Sequence, residues 1–201
     1  MKQLILASQS PRRSEILEKA GYQFTSLPVH VSEIPDKNLN LDEQIIEIAR
    51  RKSKACSLLS QAQGPDTIIL AADTMVCLEN LPLGKPDNEK VAAEYLRKLS
   101  GRVHLVKTAL VLINWQSQLE VTHIETTQVT FKNISEKEIN DYILSGEPMD
   151  KAGAYAIQGR GRNFVEKFEG DYDNVVGLPL HALENLFKLN KWVFHRLQVV
   201  P

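Results

Sequence analysis

The spacing of apolar residues changes in blocks along the chain, and each block predicts an element. Leu4 to Ala7 is a short continuous apolar run ended by polar residues, the pattern of a buried strand. Ser10 suits a helix N-cap and Pro11 the first helical position. Ile16, Leu17 and Ala20 then form a stripe, and Gly21 suits the residue after the helix end. Residues 22 to 41 read as irregular or extended. From Asp42 to about Ser60, Ile45, Ile48, Ala49, Ala55, Cys56 and Leu59 recur at helical spacing, and Lys52 falls on the same stripe. Gly64-Pro65 breaks the chain. Thr67 to Ala72 is an apolar run expected of a strand covered on both faces, ending at Asp73-Thr74 with an extension over Met75–Leu78.

Asn88 to Ser100 reads as another helix, stopped by Gly101. Val103–Trp115 and Glu120–Phe131 are β-rich and separated by a polar turn, which predicts a long antiparallel pair. Ser135 and Glu138 form a capping box opening a helix that ends near Gly146. Asp150 to Arg162 is rich in small residues and glycine, Phe164–Phe168 reads as a short strand, and Leu178–Leu189 as a closing helix. Helices thus alternate with both crossover-type and hairpin-type strands, so the expected class is α/β with a mixed sheet.

Composition narrows the partners. The 201 residues carry 24 Lys and Arg against 25 Asp and Glu, a formal net charge of −1. That balance disfavours a bulk polyanion binder and stable nucleic-acid binding, but permits a local basic site. A chain of this length buries about 70% of the surface its unfolded form exposes, so a single domain over 1–201 is the expectation. Cys56 and Cys77 cannot form a disulfide framework or a zinc site by themselves. The first apolar run is too short for a signal-peptide core, and no stretch reaches membrane-spanning length. A reducing cytoplasm is the expected compartment.

Five constellations could carry chemistry. In Ser8-Gln9-Ser10-Pro11-Arg12-Arg13 a strand meets a helix N-terminus, where free N–H groups favour anions and two guanidiniums can chelate phosphate. The alternative is a well-capped helix with solvated arginines. Asp73 closes an apolar strand, where an acid can hold a metal, act as a general base, or merely cap a turn. Lys52 and Lys85 can supply compact positive charge to a polyphosphate, or be ordinary solvated lysines. The stretch around Gly153, Gly159 and Gly161 lets backbone approach a ligand, and Gln158 can read a base edge offering both donor and acceptor. The bland alternative is a connecting loop. Glu33 offers a second carboxylate that with Asp73 would hold Mg²⁺. The five histidines are scattered and read as satisfied or surface residues.

LILASQSPRRSEIL, ARRKSKA, ILAADTMV, LGKP, LRKLSGRVH, EPMDKAGAYAIQGRG and VVGLPL occur in that order between residues 4 and 180. In these stretches the sequence resembles the Maf family of nucleoside triphosphate pyrophosphatases. Within it, Arg12, Thr74 and Gln158 resemble the branch that hydrolyses dTTP and UTP rather than the 7-methyl-GTP branch. The resemblance implies Asp73 as general base and Ser8, Arg13, Lys52 and Lys85 around the phosphates. It implies Glu33 and Asp73 at a divalent cation, Mg²⁺ or Mn²⁺. Ala156 departs from the family pattern, where glycine precedes Ile-Gln-Gly; the extra methyl is expected to tighten the loop.

The implied fold is an elongated mixed sheet flanked by helices, two lobes around a cleft, similar to inosine triphosphate pyrophosphatases. The implied assembly is a homodimer, the partner a nucleoside triphosphate, and the role nucleotide house-cleaning. A non-hydrolysing nucleotide-binding regulator of cell division, or a purine-directed pyrophosphatase, is the alternative reading.

Overall fold

A computed structural model describes residues 1–197. The architecture is mixed α/β: a seven-stranded sheet of order β2-β1-β3-β5-β6-β7, with β4 paired to β3, flanked by helices. In chain order the elements are β1 (Gln3–Leu6), α1 (Pro11–Lys19), β2 (Phe24–Ser26), α2 (Leu41–Ser57), β3 (Thr67–Leu78), β4 (Leu81–Leu83) and α3 (Glu89–Leu99). They continue as β5 (Val103–Asn114), β6 (Glu120–Phe131), α4 (Glu136–Ile143), β7 (Val165–Glu169), α5 (Tyr172–Val176) and α6 (Leu180–Leu189), with single 3₁₀ turns between some of them. No helix among the described residues is long and apolar enough to cross a membrane.

The chain divides into two compact units. Among the described residues the first comprises 1–73, 108–125 and 177–197, and the second 74–107 and 126–176.

In the first unit β1 pairs parallel to both β2 and β3, with Leu4 opposite Ile68 and Leu6 opposite Leu70. Ile5, Ala7, Ile69 and Ala71 share one face by the two-residue strand period and pack with Cys56 of α2 and with Ala62. Leu4, Leu6, Ile68 and Leu70 point the other way and are equally buried. Both faces are therefore covered, which is why these strands read as unbroken apolar runs. Burial pushes the Cys56 thiol up to about 11, the behaviour of a core residue rather than of a nucleophile.

Helix ends follow local sequence chemistry. Asn40 and Glu43 form a reciprocal capping box that starts α2 at Leu41, one residue before the expected Asp42. The expected box of Ser135 and Glu138 opens α4, and Gly21 takes the left-handed backbone (φ 78°) just after α1. The stretch expected to be irregular or extended contains the short strand β2, Phe24–Ser26; three residues carry too little pattern to mark its bounds.

In the second unit α3 packs on α4, and Arg97 donates two parallel 2.8 Å bonds to Glu136 across that contact. Its aromatic core joins His104, Phe131, Tyr142, Tyr155 and Phe164 through four edge-on contacts and one tilted contact, Phe131 with Phe164. His104 is 2% exposed; its Nε2 lies 2.8 Å from the Tyr155 hydroxyl, while Nδ1 is buried with no hydrogen-bond partner. Burial disfavours the imidazolium and lowers the His104 pKa from 6.5 to about 4.

The unfolded chain thus takes up a proton near pH 6.5 that the folded chain refuses until about pH 4. The stability associated with neutral His104 is complete above pH 6.5 and is lost as pH falls toward 4. The gap corresponds to about 3 kcal/mol. Urea unfolding at pH 7.5 and pH 4 should show the natural chain losing about 3 kcal/mol more than His104→Gln; parallel losses in the two proteins would refute the assignment.

Candidate active site

The first unit gathers six of the residues singled out above: Ser8, Arg12, Arg13, Glu33, Lys52 and Asp73. β1 ends at Leu6 and the chain turns into α1, whose N-cap is Ser10; Pro11 fills the first helical position as expected, yet the Ser10 side chain makes no capping bond. Ser8 does local work instead. Its Oγ accepts from the Ser10 N–H at 3.2 Å and from Arg13 Nη1 at 3.1 Å. Arg13 Nε donates to the Gly177 carbonyl at 2.8 Å. The guanidinium is thereby fixed from two sides in the first turn of a helix that lacks a side-chain cap. Its pKa is lowered, chiefly by burial, with Asp73 opposing. Arg12, next to it, is half-buried and adds like charge.

Asp73 lies within β3, not at its end, and this corrects the sequence reading. The strand continues through Asp73-Thr74 to Leu78, because Val76–Leu78 find a new antiparallel partner in β4. The strand that does end here is β1: Leu6 pairs with Leu70, leaving Asp73 three residues beyond that pairing. A polar residue is tolerated inside β3 where its parallel neighbour has departed.

Lys52 projects from the apolar stripe of α2, and its Nζ lies 2.6 Å from Asp73 Oδ1 and 2.7 Å from Glu33 Oε1. The side chains of Lys52 and Asp73 are only 10% and 14% exposed, whereas Glu33 is 44% exposed. Ordinary solvation is therefore the wrong reading for Lys52. Burial pushes the Asp73 carboxyl up, Lys52 and Arg13 pull it down, and Glu33 adds to the rise; the balance is upward. Glu33 comes from a segment without regular structure, which is held in part by Arg51 donating to the Ser32 and Ile34 carbonyls.

Asp73 and Glu33 are two carboxylates brought together around the one ammonium of Lys52. Among the described residues no cluster of three or more acidic, histidine or cysteine side chains offers an all-protein metal cage. Two hard oxygen donors completed by substrate phosphates suit Mg²⁺, which is held in that manner at phosphoryl-transfer sites. The donor set fits the expected cation.

Thr74, Lys85 and Gln158 belong to the second unit. Thr74 is half-buried in β3, and Lys85 and Gln158 are exposed. The Lys85 turn is tied to the glycine-rich stretch, because Gly153 N–H donates to the Gly84 carbonyl at 3.1 Å. Gly153 takes a left-handed φ of 68°, and a Cβ there would sit 2.8 Å from Val76. Gln158 occupies a tight turn closed by Gly159 N–H to the Ala156 carbonyl at 3.3 Å. The left-handed positions fall at Gly153 and Ala154, not at Ala156. The departure from the family glycine at Ala156 thus needs no unusual backbone.

Two functional contacts escaped the sequence reading. The Gly177 carbonyl that holds Arg13 leaves no side-chain signal, although Gly177 stands in the quoted VVGLPL stretch. Glu147, which opens EPMDKAGAYAIQGRG, bonds the backbone N–H groups that follow Gln158.

Comparison with known proteins places this geometry. The model of the Maf family, described as Maf-like protein, matches residues 3–189. The chain belongs to the Maf family. Members named dTTP/UTP pyrophosphatase include one from Bdellovibrio bacteriovorus, 50% identical over 91% of this chain and 96% of that protein. Another, from a Geobacillus species, is 46% identical over 96% of this chain and all of its own length. A third, from Caldicellulosiruptor bescii, is 42% identical over 91% of this chain and 92% of its own. Among solved structures, a nucleoside-triphosphatase/dITP/XTP pyrophosphatase from Mycobacterium abscessus aligns with 66% of this chain and 75% of its own at 13% identity. Its TM-score is 0.40, too low to carry an argument. The quoted stretches spread from residue 4 to residue 180, and Ser8, Arg13, Glu33, Lys52 and Asp73 fall in one unit.

The buried pair yields a stability test. Lys52→Met strands the Asp73 carboxylate without its nearest cation, and removing one partner of a buried pair costs about 3 kcal/mol or more. Adding Asp73→Asn removes the stranded charge and should restore at least half of that loss. Urea denaturation of the two single variants and the double variant measures it; strictly additive losses would show that the two side chains are not energetically coupled.

Proposed function

We propose that this Maf protein is a nucleoside triphosphate pyrophosphatase that hydrolyses dTTP and UTP to the monophosphate and pyrophosphate. The observation that carries the reading is Asp73: a buried carboxylate, pushed toward proton affinity by burial, held 2.6 Å from Lys52 and within the field of Arg13. The full-length likeness to relatives named dTTP/UTP pyrophosphatase supports the substrate class.

In the reaction a water attacks the α-phosphorus and pyrophosphate leaves. Such displacements depend on positioning and charge stabilisation more than on covalent catalysis. Asp73 accepts the proton of the attacking water; a general base works best with a pKa nearer to neutrality than that of an exposed aspartate. Arg13, fixed by Ser8 and the Gly177 carbonyl, presents a preorganised guanidinium to the phosphates. Lys52 offsets the charge of Asp73 and Glu33 and adds positive potential for the triphosphate. Asp73 and Glu33 would hold a divalent cation, whose contribution when bound is to neutralise phosphate charge.

In the second unit, Lys85 is assigned to phosphate and Gln158 to the base, with Thr74 contributing to base preference; Arg12 of the first unit is assigned to base preference as well. A uracil-type edge places a carbonyl acceptor beside an N–H donor, and the Gln158 carboxamide offers both complements. The two cysteines are buried among apolar residues, which suits the reducing cytoplasm we propose as the compartment.

Asp73→Asn should melt near the natural temperature yet lose at least about a hundredfold in turnover. Chromatographic release of monophosphate and pyrophosphate from dTTP with Mg²⁺ is the assay. EDTA should abolish release by the natural protein. Thermal protection by dTTP without product would instead identify a binding protein. Gln158→Ala should narrow the preference for dTTP and UTP over other triphosphates by about tenfold, since a lost partner in a base site costs about 1–3 kcal/mol; an unchanged panel would remove Gln158 from base reading.

A further inference from the structure

The turn that carries Gln158 is gripped from both sides by one internal anion. Glu147 is half-buried just before α4's trailing segment rejoins the glycine-rich stretch, and its Oε2 accepts from the Arg160 N–H at 3.0 Å. Its Oε1 accepts from the Gly161 N–H at 3.2 Å and from the Tyr142 hydroxyl at 2.8 Å. The same hydroxyl accepts from the Ala156 N–H at 3.2 Å. Backbone groups two residues before Gln158 and two and three residues after it therefore converge on Glu147, directly or through Tyr142.

The glycines report the same design independently. A Cβ on Gly159 would collide with the Glu147 carboxylate, and a Cβ on Gly161 would stand 2.8 Å from both the Tyr142 hydroxyl and the Ala156 carbonyl. Gly159 has an ordinary extended backbone (φ −114°), so its lack of a side chain serves the close approach and not the turn angle. Charge-assisted bonds from backbone N–H groups to a carboxylate are among the stronger hydrogen bonds in proteins. Two parallel ones define orientation as well as distance.

We propose that Glu147 is a positioning residue for base recognition: it sets the path of residues 156–161 and so the place from which Gln158 meets the nucleobase. This rests on the reading of Gln158 given above. Glu147 itself touches no reacting atom. Its removal should therefore act on substrate affinity and base preference more than on the chemical step.

The test uses Glu147→Ala, Glu147→Gln and Gly159→Ala in the full-length protein. Glu147→Ala should raise KM for dTTP and UTP by about tenfold, the size of one lost charge-assisted anchor. It should lower kcat far less and flatten the preference over CTP and GTP. Glu147→Gln keeps one acceptor oxygen and should recover most of the KM. Gly159→Ala leaves the carboxylate in the chain but displaces it, and should reproduce the Glu147→Ala profile. Amide hydrogen exchange at Arg160 and Gly161, read without substrate, should speed up in Glu147→Ala while exchange in β1 is unchanged. Unaltered exchange, or unaltered KM and preference in folded Glu147→Ala, overturns the proposal. Fast exchange at Arg160 and Gly161 in Glu147→Ala, together with no pyrimidine preference in the natural protein, would overturn the substrate reading and with it the role of Glu147 in recognition, while leaving the anchor.

Discussion

The candidate site depends on burying a carboxylate beside a lysine. Asp73 sits inside a strand that is otherwise apolar, and an isolated charge there would be costly. Lys52 makes it tolerable, and the price is a lysine on the apolar stripe of α2. Glu33 then draws an irregular segment onto the same ammonium. Helix, strand and loop are thus held in register by one cation and two anions. Replacing a buried pair by apolar groups is often neutral for stability. A pair retained at such a position is better explained by chemistry than by folding.

Around that pair the neighbouring charges are placed with equal economy. Arg13 is oriented by a hydroxyl and a carbonyl, neither of which neutralises it. Those two bonds fix its orientation, while Asp73 and Glu33 lie within its field. Glu147 repeats the logic with the sign reversed, a carboxylate satisfied by backbone N–H groups and a phenol. In both cases a long charged side chain is frozen before any ligand arrives, so the entropy of ordering is met during folding.

Most of the fold was legible because its signals are local. The unbroken run at Thr67–Ala72, the stripe of α2, the capping box at Ser135 and the left-handed Gly21 each depend on neighbours in sequence. The candidate residues were legible as types, and Lys52 stood out because a lysine on an apolar face must have a reason. What stayed hidden is tertiary. The extension of β3 over Met75–Leu78 was legible, but the antiparallel partner that β4 supplies to it was not. The Gly177 carbonyl grips Arg13 from 164 residues away. Buried His104 was expected to be satisfied, yet one ring nitrogen has no partner.

The hold on residues 156–161 has one more consequence. It acts almost wholly through main-chain N–H groups, which every residue except proline provides. The outline of the turn is therefore uncoupled from the side chains at 158 and 160. Within such a frame residue 158, which we propose meets the base, can be exchanged while the scaffold beneath it stays constant. Selection, natural or in the laboratory, can explore new nucleobase preferences at position 158 without rebuilding the turn that carries it.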